Sequence, residues 1–416
     1  MFGKKSCEVL VVGAGPVGLY TALMLAERAV RVRIVEEQFR STTRSYALAL
    51  HPTTLDVLEE VGLLDRLVAS GLRLDTLAFY GEGRRLGELN YGALETSNPY
   101  VLVLPQSELE QALVERLTAL GVEVDWNHRV TALEPEADFV TVGTEKLTKE
   151  SVGYATAHTE WAVEREESMR ASFVVGADGH ASRVRRQLGL PFPRVGQEQH
   201  FAVFELITAG AALDEARILL GEGLGVLWPL GNGRYRCSFA VSANETAAVE
   251  RDKSRVVPVP GYGTFGQLEP AVLRRLLAER APWFEPRIVE VIWSLALRFE
   301  RRLVPELGLG RVWLAGDAAH LAAPIGVHSL NLGLQEARDL CRHLYGALRA
   351  GLPVEAVAAF GREWQPRLAA HFSPQPLRMT PAAPDWARRY ASVLHQVVPA
   401  SGEDLTRLLE QIGVVV

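Results

Sequence analysis

The sequence predicts an α/β protein: a doubly wound parallel sheet, a mixed β-sheet inserted into it, and helices at the C-terminal end. Three observations carry that prediction. A short apolar strand runs into a glycine turn and a helix near the N-terminus. Two further apolar strands, far downstream, end in Gly-Ala-Asp and Gly-Asp. The interval between those two is filled by strand-like segments.

Length and composition set the frame. A chain of 416 residues exceeds what one ordinary core accommodates. With 48% hydrophobic and 23% charged residues it reads as a folded globular protein rather than a disordered one. The net charge of −6 argues against a nucleic-acid binder, which would carry a basic patch. Cys7, Cys237 and Cys341 are odd in number and far apart, and no C-x-x-C pair occurs. That pattern fits a reducing compartment, with neither a disulfide framework nor a metal site. The apolar run Val9–Val12 breaks at Gly13, too short for a signal peptide or a membrane span. A cytoplasmic protein without membrane insertion is expected.

The first element is the run Val9-Leu10-Val11-Val12, bulky enough for a parallel strand buried on both faces. It enters Gly13-Ala14-Gly15-Pro16-Val17-Gly18, and Leu19–Arg28 continue at helical spacing. A second strand, Val30–Val35, ends at Glu36 and Glu37. Strand, glycine turn, helix, strand and acid together form the context a dinucleotide fingerprint requires. Gly13 permits the tight turn, Gly15 lets the backbone approach a pyrophosphate, and Gly18 lets helix pack on strand. The helix N-terminus offers unpaired N–H groups and a positive dipole end to phosphate. Glu36, eighteen residues beyond Gly18, suits ribose hydroxyls and repels a 2′-phosphate, favouring FAD or NAD over NADP at this site. Gly261-Tyr262-Gly263-Thr264-Phe265-Gly266 matches the same pattern literally. It follows Pro258 and Pro260, which bar a central parallel strand, and is expected to be a loop.

The second strand motif is Phe173-Val174-Val175 followed by Gly176-Ala177-Asp178-Gly179 and a basic segment, Arg183–Arg186. The third is Val312-Trp313-Leu314-Ala315 followed by Gly316-Asp317-Ala318-Ala319-His320, then Pro324-Ile325-Gly326 and a helix beginning near Asn331. Taken singly, Asp178 and Asp317 also fit turn or N-cap positions. Their order behind a dinucleotide fingerprint gives them weight.

That order resembles the class A flavin monooxygenases, the para-hydroxybenzoate hydroxylase-like family, from about residue 7 to about residue 345. The resemblance implies a Rossmann-type, glutathione-reductase-like FAD-binding domain. It places Gly13, Gly15, Pro16, Val17, Gly18, Glu36, Val130, Gly316, Leu330 and Asn331 around the cofactor. Arg44, in Thr43-Arg44-Ser45, would reach the pyrophosphate and flavin region, and Gln106 would contact FAD. Asp178 would serve both FAD and NAD(P)H binding, and Asp317 the ribityl or ribose hydroxyls. Pro324 and Gly326 would flank the isoalloxazine ring. The loop Gly326-Val327-His328-Ser329-Leu330-Asn331 departs from the family's smaller residues at its centre. Backbone N–H groups at such a helix start can stabilise negative charge at flavin N1/O2, whereas larger side chains would crowd the ring or limit its movement. His328 is an acid–base candidate, at least as readable as a histidine on a solvent-facing loop or one hydrogen-bonded to backbone.

The nucleotide elements are interrupted, so another layer is inserted between them. Strands are expected at His200–Leu206, Gly225–Leu230, Tyr235–Val241 and Val289–Phe299, the middle two forming a hairpin. The implied division is residues 1–80, 101–194 and 300–345 for FAD, 81–100 and 195–299 for a substrate sheet, and 346–416 for C-terminal helices. Phe204, Trp228 and Trp293 are candidate pocket walls, although buried sheet aromatics are more often plain core. Thr144–Ser172 is expected to be a long surface hairpin or loop. The resemblance implies a NAD(P)H-consuming monooxygenase, with O₂ as co-substrate, that hydroxylates a phenolic, polyketide or quinolone-like aromatic through a flavin hydroperoxide. An FAD-dependent epoxidase, an isoprenoid-type reductase and a non-catalytic flavin-binding protein share the scaffold and stay open.

Overall fold

Apolar strand runs of the kind just described bury both faces only when covered by helices on each side. The computed structural model describes residues 5–39, 49–152, 158–210, 214–251, 256–259, 263–285, 287–322, 324–372 and 377–415, and shows that arrangement. Strand β1 (Lys5–Val12) leads to helix α1 (Pro16–Ala26) and strand β2 (Val32–Glu36). Helix α1 starts with proline at its first turn and is apolar all round. Every residue from Pro16 to Leu25 is buried, so the helix lies inside the molecule rather than on it.

A small sheet joins β3 (Ala49–Leu50), β4 (Leu72–Leu74) and β7 (Val101–Val103), with helices α2 (Pro52–Glu59) and α3 (Leu64–Ser70) between its first two strands. Strands β5 (Thr76–Gly81) and β6 (Arg84–Asn90) leave for the second large sheet, and the chain returns through β7 and helix α4 (Gln106–Ala119). Next come β8 (Val124–Trp126), β9 (His128–Pro135), β10 (Val140–Val152) and β11 (His158–Gly176). Strands β10 and β11 pair antiparallel from Val140↔Ala171 outward, so the polar stretch Thr144–Ser172 is the long hairpin expected. The last residues of β11 then run parallel to β1, with Val9 opposite Phe173 and Val12 opposite Gly176. Helix α5 (Arg183–Gln187) follows.

The inserted layer is a nine-stranded mixed sheet. Its strands are β12 (Gln199–Ala209), β13 (Ala216–Leu219), β14 (Gly225–Gly231), β15 (Arg234–Val241), β16 (Val256–Val259), β17 (Gly263–Gly266) and β18 (Arg287–Phe299), plus β5 and β6. Helices α6 (Ala243–Arg251) and α7 (Pro270–Arg280) belong to the same stretch. Strands β14 and β15 form the expected hairpin. One expectation fails. Gly263–Gly266 is strand rather than loop: β16 and β17 pair antiparallel at the sheet's edge, a position at which a proline such as Pro258 is tolerated. Gly261 and Tyr262 lie outside the described residues.

The chain then returns to the first sheet through β19 (Arg302–Leu303), β20 (Gly308–Leu309), β21 (Val312–Leu314) and β22 (His320–Leu321). The completed order is β20-β21-β11-β1-β2-β8, with β21, β11, β1, β2 and β8 mutually parallel. Helix α8 (His328–Arg349) packs across α1. It is followed by α9 (Ala358–Phe372), α10 (Asp385–Arg389), α11 (Ala391–Val397) and α12 (Gly402–Glu410). Among the described residues, no helix is long and apolar enough to cross a membrane.

Candidate functional site

The parallel sheet delivers three strand ends to one edge, and each carries one of the glycine-containing turns. At the first, Gly13 sits at φ +106, a left-handed value that favours glycine. A Cβ there would lie 2.3 Å from the Ala177 carbonyl oxygen, so this turn and the Asp178 turn touch through backbone. A Cβ on Gly18 would lie 2.0 Å from the Gly13 carbonyl oxygen. Gly15 differs: nothing lies within 4 Å of where its side chain would point. Helix α1 has no side-chain cap, and helix geometry leaves its first N–H groups without intrahelical acceptors. A buried, uncapped helix start with open space in front of its N-cap glycine fits a phosphate group.

Three acids stand at these strand ends, Glu36, Asp178 and Asp317. Glu36 accepts the Ala14 N–H at 2.7 Å and the Gln38 N–H at 2.8 Å. Burial nonetheless pushes its carboxyl above the usual range. Asp178 caps α5: its Oδ2 accepts the N–H groups of Arg183 and Val184 at 2.7 and 3.1 Å. Its Oδ1 is buried and has no partner among the described residues. The turn and N-cap reading and the ligand reading of Asp178 therefore both have an oxygen. Asp317 stands in a one-turn 3₁₀ helix (Gly316–Ala318). Burial raises its carboxyl to about 6, against the pull of nearby His320.

Beneath Asp317 lies a buried pair. His320 Nε2 stands 3.0 Å from Glu336 Oε1, both side chains fully buried, and the same oxygen accepts the Gly316 N–H. Burial acts to lower the His320 pKa, but Glu336 and Asp317 outweigh it and the net shift is upward. Arg185 links the two Asp turns: its guanidinium donates to the carbonyls of Ala318 and His180 at 2.8 and 2.7 Å and stacks 3.9 Å from the Phe192 ring centroid. Val17 fills the crossing of α1, Gly316 and Gly333, where a Cβ on either glycine would come within about 3 Å of it.

The turn that opens helix α8 is built differently. Helix α8 also lacks a side-chain cap, and its N-cap residue, Val327, has φ 53 and ψ 38, a left-handed conformation costly for a β-branched residue. Side chains hold it. Asn331 Oδ1 accepts the His51 N–H at 2.8 Å, while its Nδ2 donates to the carbonyls of Ala49 and Val327 at 2.9 and 2.7 Å. Ser329 Oγ accepts the Ala322 N–H at 2.7 Å. His328 is buried against His51 and His371, with ring centroids 5.4 and 4.4 Å away. Burial, then the neighbouring imidazoles, drive its pKa well below the ordinary value. The enlarged loop residues are thus engaged with protein: Val327 with the apolar cluster under the inserted sheet, His328 with histidines, and Ser329 with backbone. His328 is a buried residue, not a solvent-facing loop histidine.

Sequence reasoning located most of these residues and missed their supports. Gly13, Gly15, Pro16, Val17, Gly18, Glu36, Asp178, Gly316 and Asp317 come together, and Gly326, Leu330 and Asn331 adjoin them through α8. Val130 is buried on β9, beside β2. Gln106 donates at 2.7 Å to Glu110, whose buried carboxyl is raised to about 7 by desolvation. Arg44 lies outside the described residues. Phe204 parts from the other two aromatics. Trp228, Arg236, Glu205 and Trp293 form one cross-strand row, paired in that order across β14, β15, β12 and β18. Opposite partners share a face and sequence neighbours do not, so Phe204 points the other way, into the core under α7. The three cannot line one pocket. Within the row, Glu205 accepts from Arg236 at 2.6 Å and from Arg234 at 2.5 Å, and Arg236 lies 4.9 Å from the Trp293 centroid. His51, Glu110, Arg185, Ser329 and Glu336 had no local signal of function.

This fold and this edge define a dinucleotide-binding flavoprotein scaffold. The FAD binding domain family matches residues 6–356. The chain belongs to that family, and FAD is the cofactor the scaffold binds. It is 31% identical over 363 residues to the 6-methylpretetramide 4-monooxygenase of Streptomyces rimosus, covering 86% of this chain and 58% of that enzyme. It is 28% identical to the para-nitrophenol 4-monooxygenase of Pseudomonas sp. (strain WBC-3), covering 82% of this chain and 79% of that one. Several of the most similar curated relatives are longer, and the chain spans 58 to 66% of their length. In fold it is similar to the crystal structure of p-nitrophenol 4-monooxygenase PnpA from Pseudomonas putida DLL-E4, with a TM-score of 0.73 at 24% identity over 98% of this chain and 97% of that chain.

Proposed function

We propose that this protein is an FAD-dependent, NAD(P)H-consuming monooxygenase that hydroxylates an aromatic small molecule of phenolic, polyketide or quinolone-like type. The observation that carries the reading is the pair of uncapped helix starts, α1 and α8, with open space in front of Gly15 and a buried Asp178 Oδ1 that has no partner among the described residues. In this assignment the N–H groups of α1 and the open face of Gly15 hold the pyrophosphate. Glu36 accepts from ribose hydroxyls and Asp317 from the ribityl chain. The first N–H groups of α8 would serve the pyrimidine side of the flavin, where fixed donors favour negative charge. When bound, FAD would supply the redox chemistry, hydride acceptance from NAD(P)H and delivery of one oxygen atom of O₂ to the substrate, the other leaving as water. The protein positions the aromatic ring and keeps water away from the reacting atoms.

The substrate side falls to the face of the nine-stranded sheet carrying Trp228 and Trp293, since Ile325 and Val327 of the α8 turn pack in the same apolar cluster. The boundary expected at residue 80 moves ahead of β5, which belongs to the nine-stranded sheet: residues 1–75, 101–194 and 300–345 would then serve FAD, 76–100 and 195–299 the substrate, and 346–416 would close the back. The test is turnover of the FAD-loaded protein against a panel of phenols and polycyclic polyphenols under ¹⁸O₂. The expected result is NAD(P)H oxidation accelerated by one compound, with one labelled oxygen in the product. NAD(P)H oxidation that no aromatic accelerates, or a product without label, would overturn the proposal.

A further inference from the structure

Four of the ten histidines gather behind the α8 turn, from four separate parts of the chain: His51 before α2, His328 at the start of α8, His371 at the end of α9 and His395 in α11. Their rings are contiguous, with centroids 5.4 Å apart for His51–His328, 4.4 Å for His328–His371 and 6.2 Å for His371–His395. Only His51 touches the turn with a hydrogen bond. Its Nε2 is 2.9 Å from the Gly326 carbonyl oxygen. A carbonyl only accepts, so Nε2 carries a proton, and full burial, which lowers the ring's pKa to about 3, keeps the ring neutral.

Gly326 is pinned from the other side as well. A Cβ on it would lie 2.2 Å from His328 Nε2 and 2.5 Å from the Gln396 carbonyl oxygen. The turn is therefore gripped between His51, the His328 ring and the backbone of α11. The backbone of the same residue holds the turn again: the His51 main-chain N–H donates to Asn331 Oδ1, just inside α8. Val327, between these two anchors, keeps a left-handed conformation that a valine does not hold unaided.

We propose that His51 is a positioning residue for the cofactor loop: its imidazole bond to the Gly326 carbonyl, added to the main-chain bond from residue 51 to Asn331, fixes the first turn of α8, and with it the N–H groups offered to the flavin. The proposal deepens the functional reading above, on which its cofactor side rests. Through the contiguous rings, it also makes the C-terminal helices α9 and α11 part of the cofactor site's support.

The test compares His51→Phe, which keeps a ring and loses the hydrogen bond, with His51→Gln, which restores a donor at similar reach, and His51→Asn, whose donor falls short. Three readouts are taken: FAD dissociation constant by fluorescence titration, midpoint potential of the bound FAD, and amide exchange of Val327–Asn331 in FAD-free protein. His51→Phe is expected to weaken FAD about tenfold, to move the potential and to speed exchange in the loop. His51→Gln should return to within about threefold of the parent, and His51→Asn should not. Should His51→Phe fail to fold, the Gln and Asn pair carries the comparison. Parental affinity, potential and exchange in His51→Phe, or equal behaviour of Gln and Asn, would overturn the proposal. If the parent itself bound no FAD, the functional reading would fall, while loop exchange would still decide the role of His51.

Discussion

The helix starts of α1 and α8 do the same physical work by opposite means. At α1 the backbone conformation is supplied by residue type: Gly13 takes φ +106 and Gly15 leaves the approach open. At α8 an equally uncapped start is held in a left-handed turn by a valine, and the conformation is imposed by Asn331, Ser329 and His51. The first turn carries its geometry locally. The second borrows part of it from the His51 side chain, 275 positions away in the chain. A glycine turn is cheap to build and tolerates a bare surrounding, whereas a braced turn needs its neighbours and gains rigidity from them.

The largest expected effect lies where the two turns are joined. Glu336→Ala would strip the buried His320 and the Gly316 N–H of their common acceptor, and should lower unfolding free energy by about 3–5 kcal/mol, read by urea titration. Loss of less than about 1 kcal/mol would mean the pair does not brace the Asp317 turn. Next comes Gly18→Ala, whose Cβ would meet the Gly13 carbonyl oxygen at 2.0 Å. About 3 kcal/mol of overpacking and loss of FAD binding are expected, and a stable variant with parental affinity would contradict the close-packed first turn.

A smaller effect depends on pH. Burial holds His51 and His371 at about 3 in the fold, against about 6.5 in the unfolded chain. Below that value the unfolded chain takes up protons that the folded one refuses. Stability therefore falls as pH falls from 6.5 towards 3, on the order of 1 kcal/mol per pH unit for each ring. Asp317, raised to about 6, works in the opposite sense, because the fold protonates it at a pH where the unfolded carboxyl is still ionised. His371→Phe should accordingly flatten the loss of urea midpoint between pH 6.5 and 5, and Asp317→Asn should steepen it. Parallel pH profiles for both variants and the parent would contradict the buried, neutral histidine cluster. The smallest effect belongs to Val327→Gly: relief of the left-handed strain should raise stability by no more than about 1 kcal/mol. A clear loss of stability there would mean that the valine's packing outweighs its strain.

The contrast between the turns also explains what the sequence made legible. Gly13, Gly15, Gly18 and Glu36 were readable because one stretch of about two dozen residues carries strand, turn, helix and acid together, and period and residue type suffice. Asp178 and Asp317 were readable from their order in the chain. The braces were not. Nothing in Leu50-His51-Pro52 announces a bond to Gly326, and nothing local pairs Glu336 with His320 or Arg185 with Ala318. Phe204 went to the wrong face because an aromatic strand residue shows its type in the sequence, while its side of the sheet is set by pairing with β15 and β18. The hairpin at β16 and β17 was hidden for a related reason, since prolines exclude a central strand but not an edge.

The measurement that bears most directly on the whole account is an FAD titration of the purified protein beside Gly15→Ala, followed by visible absorbance and thermal unfolding. No atom stands within 4 Å of the new methyl group, and Gly15 has an ordinary negative φ, so the variant should unfold at the parental temperature. The parent should take up FAD in a one-to-one complex with flavin absorbance bands. The variant, with a methyl group where the pyrophosphate approaches, should stay colourless or bind at least tenfold more weakly. A parent that remains colourless in excess FAD, or a variant that binds as the parent does, would contradict the assignment of this edge as the cofactor site.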